Sequence, residues 1–182
     1  ASHPPRFHIS IDLGLKVLLG DITEKERLAT LSGAGTPKIS DARKKAQRLL
    51  SLAENLRQRK NVEKAIATAA QALEVDPTFV EGQVVLGELL ILGNRIEVAH
   101  KHLVVAVEKA RPPHRAQLGL AIVLARQGKD DEALKMLNAL KVKRVDKNRL
   151  YYELGRIYQK QGKTAEALES YRKAAEAALE MN

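Results

Sequence analysis

Residues 148–181 read NRLYYELGRIYQKQGKTAEALESYRKAAEAALEM, and residues 114–147 read HRAQLGLAIVLARQGKDDEALKMLNALKVKRVDK. Laid over one another they align without a gap: Ala121 over Gly155, Leu124 over Tyr158, Gly128 over Gly162, Ala133 over Ala167. The same step of 34 residues runs back through two earlier copies. One column holds Ala65, Ala99, Ala133 and Ala167, and a second Ala53, Gly87, Ala121 and Gly155. A third holds Leu56, Leu90, Leu124 and Tyr158, and a fourth Ala72, Ala106, Leu140 and Ala174. Four units follow, 46–79, 80–113, 114–147 and 148–181, behind an extension of residues 1–45.

Apolar spacing within each unit predicts two helices of about a dozen residues. Small residues are expected where the two helices cross closely, and larger ones such as Leu154, Tyr158, Leu168 and Tyr171 between units. Gly128 and Gly162 mark the turns inside units three and four, and Asn94 takes that place in unit two, where Asn94 and Glu97 read as a capping box. Asp130 and Thr164 are placed to cap second helices. Pro77, Pro112 and Pro113 fall between units, where helices stop.

Leu154-Gly155, Tyr158, Gly162, Ala167, Tyr171 and Ala174 stand at the signature places of the tetratricopeptide repeat, and the four units resemble that family. The usual Trp is replaced by Leu49, Gln83, Gln117 and Tyr151. The resemblance implies an all-α, right-handed superhelical solenoid of four helix-turn-helix units behind a non-repeat N-terminal extension. It also implies a non-enzymatic scaffold that holds a partner segment in a concave groove lined by the first helix of each unit. Carried over by position, the groove residues are Gln47, Leu50, Glu54 and Arg57, then Glu81, Val84, Glu88 and Ile91. Units three and four add Arg115, Leu118, Ile122 and Arg126, then Arg149, Tyr152, Arg156 and Lys160. This predicts an acidic-to-apolar first half and a basic second half, suited to an acidic protein or peptide. Co-chaperone members of the family clamp a chaperone's C-terminal carboxylate. The matching places here hold Leu50, Glu54, Arg115 and Gly119, so that clamp is not expected.

The rest of the composition narrows the function. The chain has no Cys, which removes thiolate metal sites and Cys nucleophiles. His100 and His102 are two apart on a helix and face different directions, and no third ligand lies at zinc spacing. No metal or cofactor is expected. No Ser-His-Asp set or phosphate loop stands out; residues 32–38 lack the required order and read as linker. The net charge is +9, with 14 Lys and Arg against 9 Asp and Glu in residues 114–182. The run Lys141, Lys143, Arg144, Lys147 and Arg149 reads as a solvated turn between units, because nucleic-acid sites usually interleave aromatic platforms. The alternatives are a nucleic-acid-binding helical solenoid and a self-assembling structural module attached to a membrane complex.

Ile9, Ile11 and Leu13 predict a short extended piece, and Thr23 with Glu26 a short helix to about Leu31. This extension is expected to pack on the array or on a second copy, with attachment to a membrane surface as the alternative. Ser40 is expected to cap the long first helix. Tyr171, Ala175, Ala178 and Leu179 predict an apolar stripe on the last helix, a second route to a homo-oligomer. No apolar run reaches the roughly 18 residues of a membrane span. The chain opens on Ala-Ser-His. The expected compartment is the cytoplasm, with a membrane reached only through a partner or an upstream anchor.

Overall fold

In a computed structural model the described residues are 40–180. The readings made on the extension before Ser40 lie outside them. Eight helices follow one another within this span: α1 Asp41–Gln58, α2 Val62–Val75, α3 Val80–Leu92, α4 Ile96–Lys109, α5 His114–Arg126, α6 Asp130–Leu140, α7 Lys147–Lys160 and α8 Thr164–Leu179. They pair as four hairpins, and each helix packs on the one before and the one after it. The first helices also touch in succession, α1 on α3, α3 on α5 and α5 on α7, whereas the second helices do not touch one another. A layer whose members touch is the inner wall of a curved stack, so α1, α3, α5 and α7 form the concave side.

Each hairpin closes the same way. Lys60, Asn94, Gly128 and Gly162, spaced by 34, all have positive φ, at 59°, 56°, 82° and 73°. The N–H of the next residue then reaches back five residues to a first-helix carbonyl: Asn61 to Leu56, Arg95 to Leu90, Lys129 to Leu124 and Lys163 to Tyr158, all at 2.8–2.9 Å. This is the left-handed helix ending that satisfies carbonyls the helix cannot reach itself. It corrects the reading of Asn94. Its left-handed backbone ends α3 and it does not cap α4, whose cap residue Arg95 makes no side-chain cap bond, while Glu97 accepts from Gln127 at 3.0 and 3.1 Å. Asp130 and Thr164 are likewise the first helical residues of α6 and α8, one place past the caps Lys129 and Lys163. Among second helices only α2 has a side-chain cap, Asn61 accepting from Lys64 N–H at 3.4 Å. Ser40 caps α1 as expected, accepting from Arg43 N–H at 3.1 Å.

The small-residue columns lie at the helix crossings. Ala65, Ala99 and Ala133 have no exposed surface. A methyl group on Gly87 would stand 2.6 Å from Leu103 of α4, and one on Gly155 2.6 Å from Tyr171 of α8. Those separations are below van der Waals contact, so a Cβ at either place would force the Leu103 or Tyr171 side chain, or its helix, to shift. Leu154 is fully buried, but Leu168 is 66% exposed, against the expectation that it fills space between units. Its counterpart one period earlier, Leu134, packs on the core, whereas no described helix follows α8. On the expected C-terminal stripe, Ala175 and Leu179 are exposed, while Tyr171 and Ala178 are half-buried. Tyr171 lies on Gly155 and its hydroxyl donates to Gln159 at 2.8 Å.

Loops between hairpins carry their own locks. Asp76 accepts from Thr78 N–H at 3.0 Å and Thr78 Oγ1 at 2.7 Å, and pairs with Arg43, whose guanidinium lies 4.7 Å from the Phe79 ring centre. The Arg43 bond, with help from Thr78, holds the Asp76 carboxyl below its usual range. Lys147 folds its ammonium onto the carbonyls of Leu140, Lys141 and Lys143, ending α6 and leaving the basic run one charge shorter on its surface.

Candidate partner-binding groove

The concave wall places the charged residues singled out from the sequence beside one another and pairs nearly all of them. Arg115, at the start of α5, donates to Glu88 of α3 through Nε at 3.1 Å and Nη2 at 2.8 Å. It also pairs with Glu81 of α3, and its Nη2 lies 3.6 Å from Glu54 of α1. Partial burial works against the charged guanidinium, but Glu88, Glu81 and Glu54 more than offset it and raise its pKa further. Arg149, at the start of α7, lies 3.5 Å from the same Glu88. The contacts Glu54–Arg115 and Glu88–Arg149 are one motif repeated after 34 residues, each linking a first helix to the first helix two hairpins on. The network Glu54–Arg115–Glu88–Arg149 therefore runs through all four inner helices.

The far end repeats the theme with another acid. Glu153 of α7 is only 4% exposed and pairs with Arg156 at 2.7 Å and Arg126 at 3.9 Å. A carboxylate this buried is held by its cations. Lys160 pairs with Asp130 of α6 at 2.8 Å. The expected basic half is therefore not a bare cationic surface: Arg115, Arg126, Arg149, Arg156 and Lys160 each face a carboxylate of the chain itself. Nothing in the local sequence pattern marks Glu153 as the buried acid of this end.

The apolar groove candidates lie deeper than their spacing implied. Val84, Leu118 and Ile122 are 2%, 3% and 1% exposed. They back the wall, Val84 in a small cluster with Ala106 and Ala116. Leu50 and Ile91 are buried too. Gln47, Glu81 and Arg57 remain open to solvent. Tyr152 is half exposed, its ring centre 5.8 Å from that of Tyr171. His102 is engaged through Nδ1 with Gln83 Oε1 at 2.6 Å, and burial lowers its pKa. No cluster of three His, Cys, Asp or Glu suited to a metal occurs among the described residues. Nor is any described helix long and apolar enough to cross a membrane.

These hairpins define a helical-repeat solenoid with a charge-lined inner wall. The chain belongs to the tetratricopeptide repeat family: two models of that repeat match residues 84–148 and 149–180, together more than half of the chain. The family serves in general as a scaffold for protein interaction and is typically without enzymatic activity. No curated protein matches the sequence. Among solved structures, TTC0263, a thermophilic TPR protein of Thermus thermophilus, is 20% identical with a TM-score of 0.62, over 75% of this chain and 83% of that one. A crystal structure of MamA is 20% identical with a TM-score of 0.57, over 86% and 85%. MamA from residue 41 onward of Desulfovibrio magneticus RS-1 is 18% identical with a TM-score of 0.58, over 76% and 77%. At these identities the likeness is one of fold.

Proposed function

We propose that this chain is a scaffold whose concave wall holds an acidic segment of a protein partner and recruits it to a larger assembly. The observation that carries the reading is the continuous charged wall across the four inner helices, with Tyr152 and parts of the Arg115, Arg149 and Arg156 side chains open to solvent. Arginine and tyrosine are the side chains most enriched where protein binding energy concentrates. Because the wall's cations already face carboxylates, a partner's acids enter by exchange with Glu54, Glu81 and Glu88. Such exchange favours selectivity over raw attraction.

The test is affinity capture from native extract with nuclease present, comparing the parent with Arg149→Ala/Tyr152→Ala. Both side chains are accessible, and Glu88 keeps Arg115 when Arg149 is removed. A protein retained by the parent and lost by the variant supports the groove. Equal retention by both moves the contact elsewhere, and material that disappears with nuclease moves nucleic acid to the front.

A further inference from the structure

A cavity of about 360 Å³ lies between α3, α5 and the loop leading into α7. Four guanidiniums border it, those of Arg57, Arg115, Arg144 and Arg149, against two carboxylates, Glu88 and Asp146, with Leu118 and Val145 as its apolar lining. Glu88 is shared between Arg115 and Arg149, and Asp146 accepts the backbone N–H of Arg149 at 2.9 Å to cap α7. Arg57 donates to Glu54 at 2.6 Å, and Glu54 and Glu81, outside the lining, balance Arg115. On the loop side the balance fails. Arg144 makes no hydrogen bond or ion pair among the described residues, and Arg149 has only its 3.5 Å contact.

We propose that this cavity is an oxyanion subsite, in which Arg144 and Arg149 grip a carboxylate or phosphate group and Leu118 and Val145 pack on the carbon that carries it. Guanidinium groups match both oxyanions in paired, planar hydrogen bonds, and a partly enclosed site weakens the competition from water. This deepens the groove reading, on which it rests for the source of the anion; the binding itself needs no partner. The loop of residues 141–146 then becomes part of the recognition surface.

The experiment is a two-dimensional amide NMR titration of the whole chain with inorganic phosphate and, separately, sodium acetate, each against sodium chloride at equal ionic strength. Saturating shifts centred on Leu118, Arg144, Val145 and Asp146 are expected in the millimolar range. Arg144→Ala should weaken them about tenfold or more, and Arg144→Lys, which keeps charge but not the planar fork, less. Saturation by acetate at lower concentration than phosphate assigns the subsite to carboxylates, and saturation by both alike supports the oxyanion subsite for either group. Saturation by phosphate alone assigns it to a phosphorylated group. Shifts that are linear, that chloride reproduces, or that Arg144→Ala leaves unchanged overturn the proposal. In that case a partner still captured through Arg149 and Tyr152 leaves the groove reading standing, whereas anion binding without capture removes the groove reading alone.

Discussion

The helix crossings and the concave wall of this array are built from the same 34-residue period, yet they hold together in opposite ways. At the crossings, Gly87 and Gly155 let helices approach until a single added methyl group would collide, and Ala133 has no exposed surface. On the concave wall, contacts are long, charged and half solvated, and they tie hairpins to their neighbours and to the ones beyond. The crossings fix the shape of one hairpin. The wall couples the hairpins to one another and offers exchangeable contacts to a partner. Steric fit at a close crossing tolerates little added bulk, whereas an ion-pair network tolerates several substitutions and can be remodelled by a ligand.

The sharpest way to break this contrast is to overpack a crossing. Ala133→Leu places three more carbon atoms where there is no exposed surface, and should cost about 3 kcal/mol or more and spoil cooperative melting. A melting curve like the parent's would show that the crossing is not tight. The wall should respond less, except at its one buried acid. Arg126→Glu/Arg156→Glu takes both cations from Glu153 and adds like charge, at a cost of about 2 kcal/mol after allowing for the exposure of the two arginines. Thermal denaturation checks it, and no loss would mean that Glu153 is held by something else. Because this pair is structural, lost binding in that variant would not report on the groove.

A smaller effect of opposite sign is expected at the first turn. Lys60 holds a left-handed backbone at φ 59° where two of the other three turns have glycine, so Lys60→Gly should stabilise by about 0.5–1 kcal/mol. A melting temperature no higher than the parent's would show that the turn carries no strain at Lys60. The smallest effect concerns pH. Burial depresses the pKa of His102, so the unfolded chain binds its proton more readily than the folded one. The stability this contributes is complete above the ordinary histidine value of about 6.5 and is lost as pH falls toward the lower folded value. Melting temperature should therefore decline below neutrality, and His102→Gln should shallow that slope over this window.

What could be read from sequence follows the same divide. The columns Ala65 to Ala167 and Ala53 to Gly155 were visible because a crossing needs a small residue at a fixed local spacing. The turn glycines Gly128 and Gly162 were visible for the same reason. Lys60 was not, since lysine carries no conformational signature. Asn94 stands in the turn as its spacing implies, but not as a helix cap, because asparagine serves equally in left-handed endings and helix caps. The charged residues of the inner helices stood out in the sequence, but not their pairing. The Glu54–Arg115 and Glu88–Arg149 contacts span 61 residues and depend on how tightly successive hairpins curl, which no local pattern encodes. Val84, Leu118 and Ile122 shared the groove spacing, but that curl buried them.

The most direct test of the concave wall as the partner surface is hydrogen exchange of the chain alone and with its captured partner. Slowed exchange is predicted along α3, α5, α7 and the loop of residues 141–146, with α4 and α6 unchanged. Protection confined to α4, α6 or α8 would place the partner on the outer or terminal surface and contradict the account.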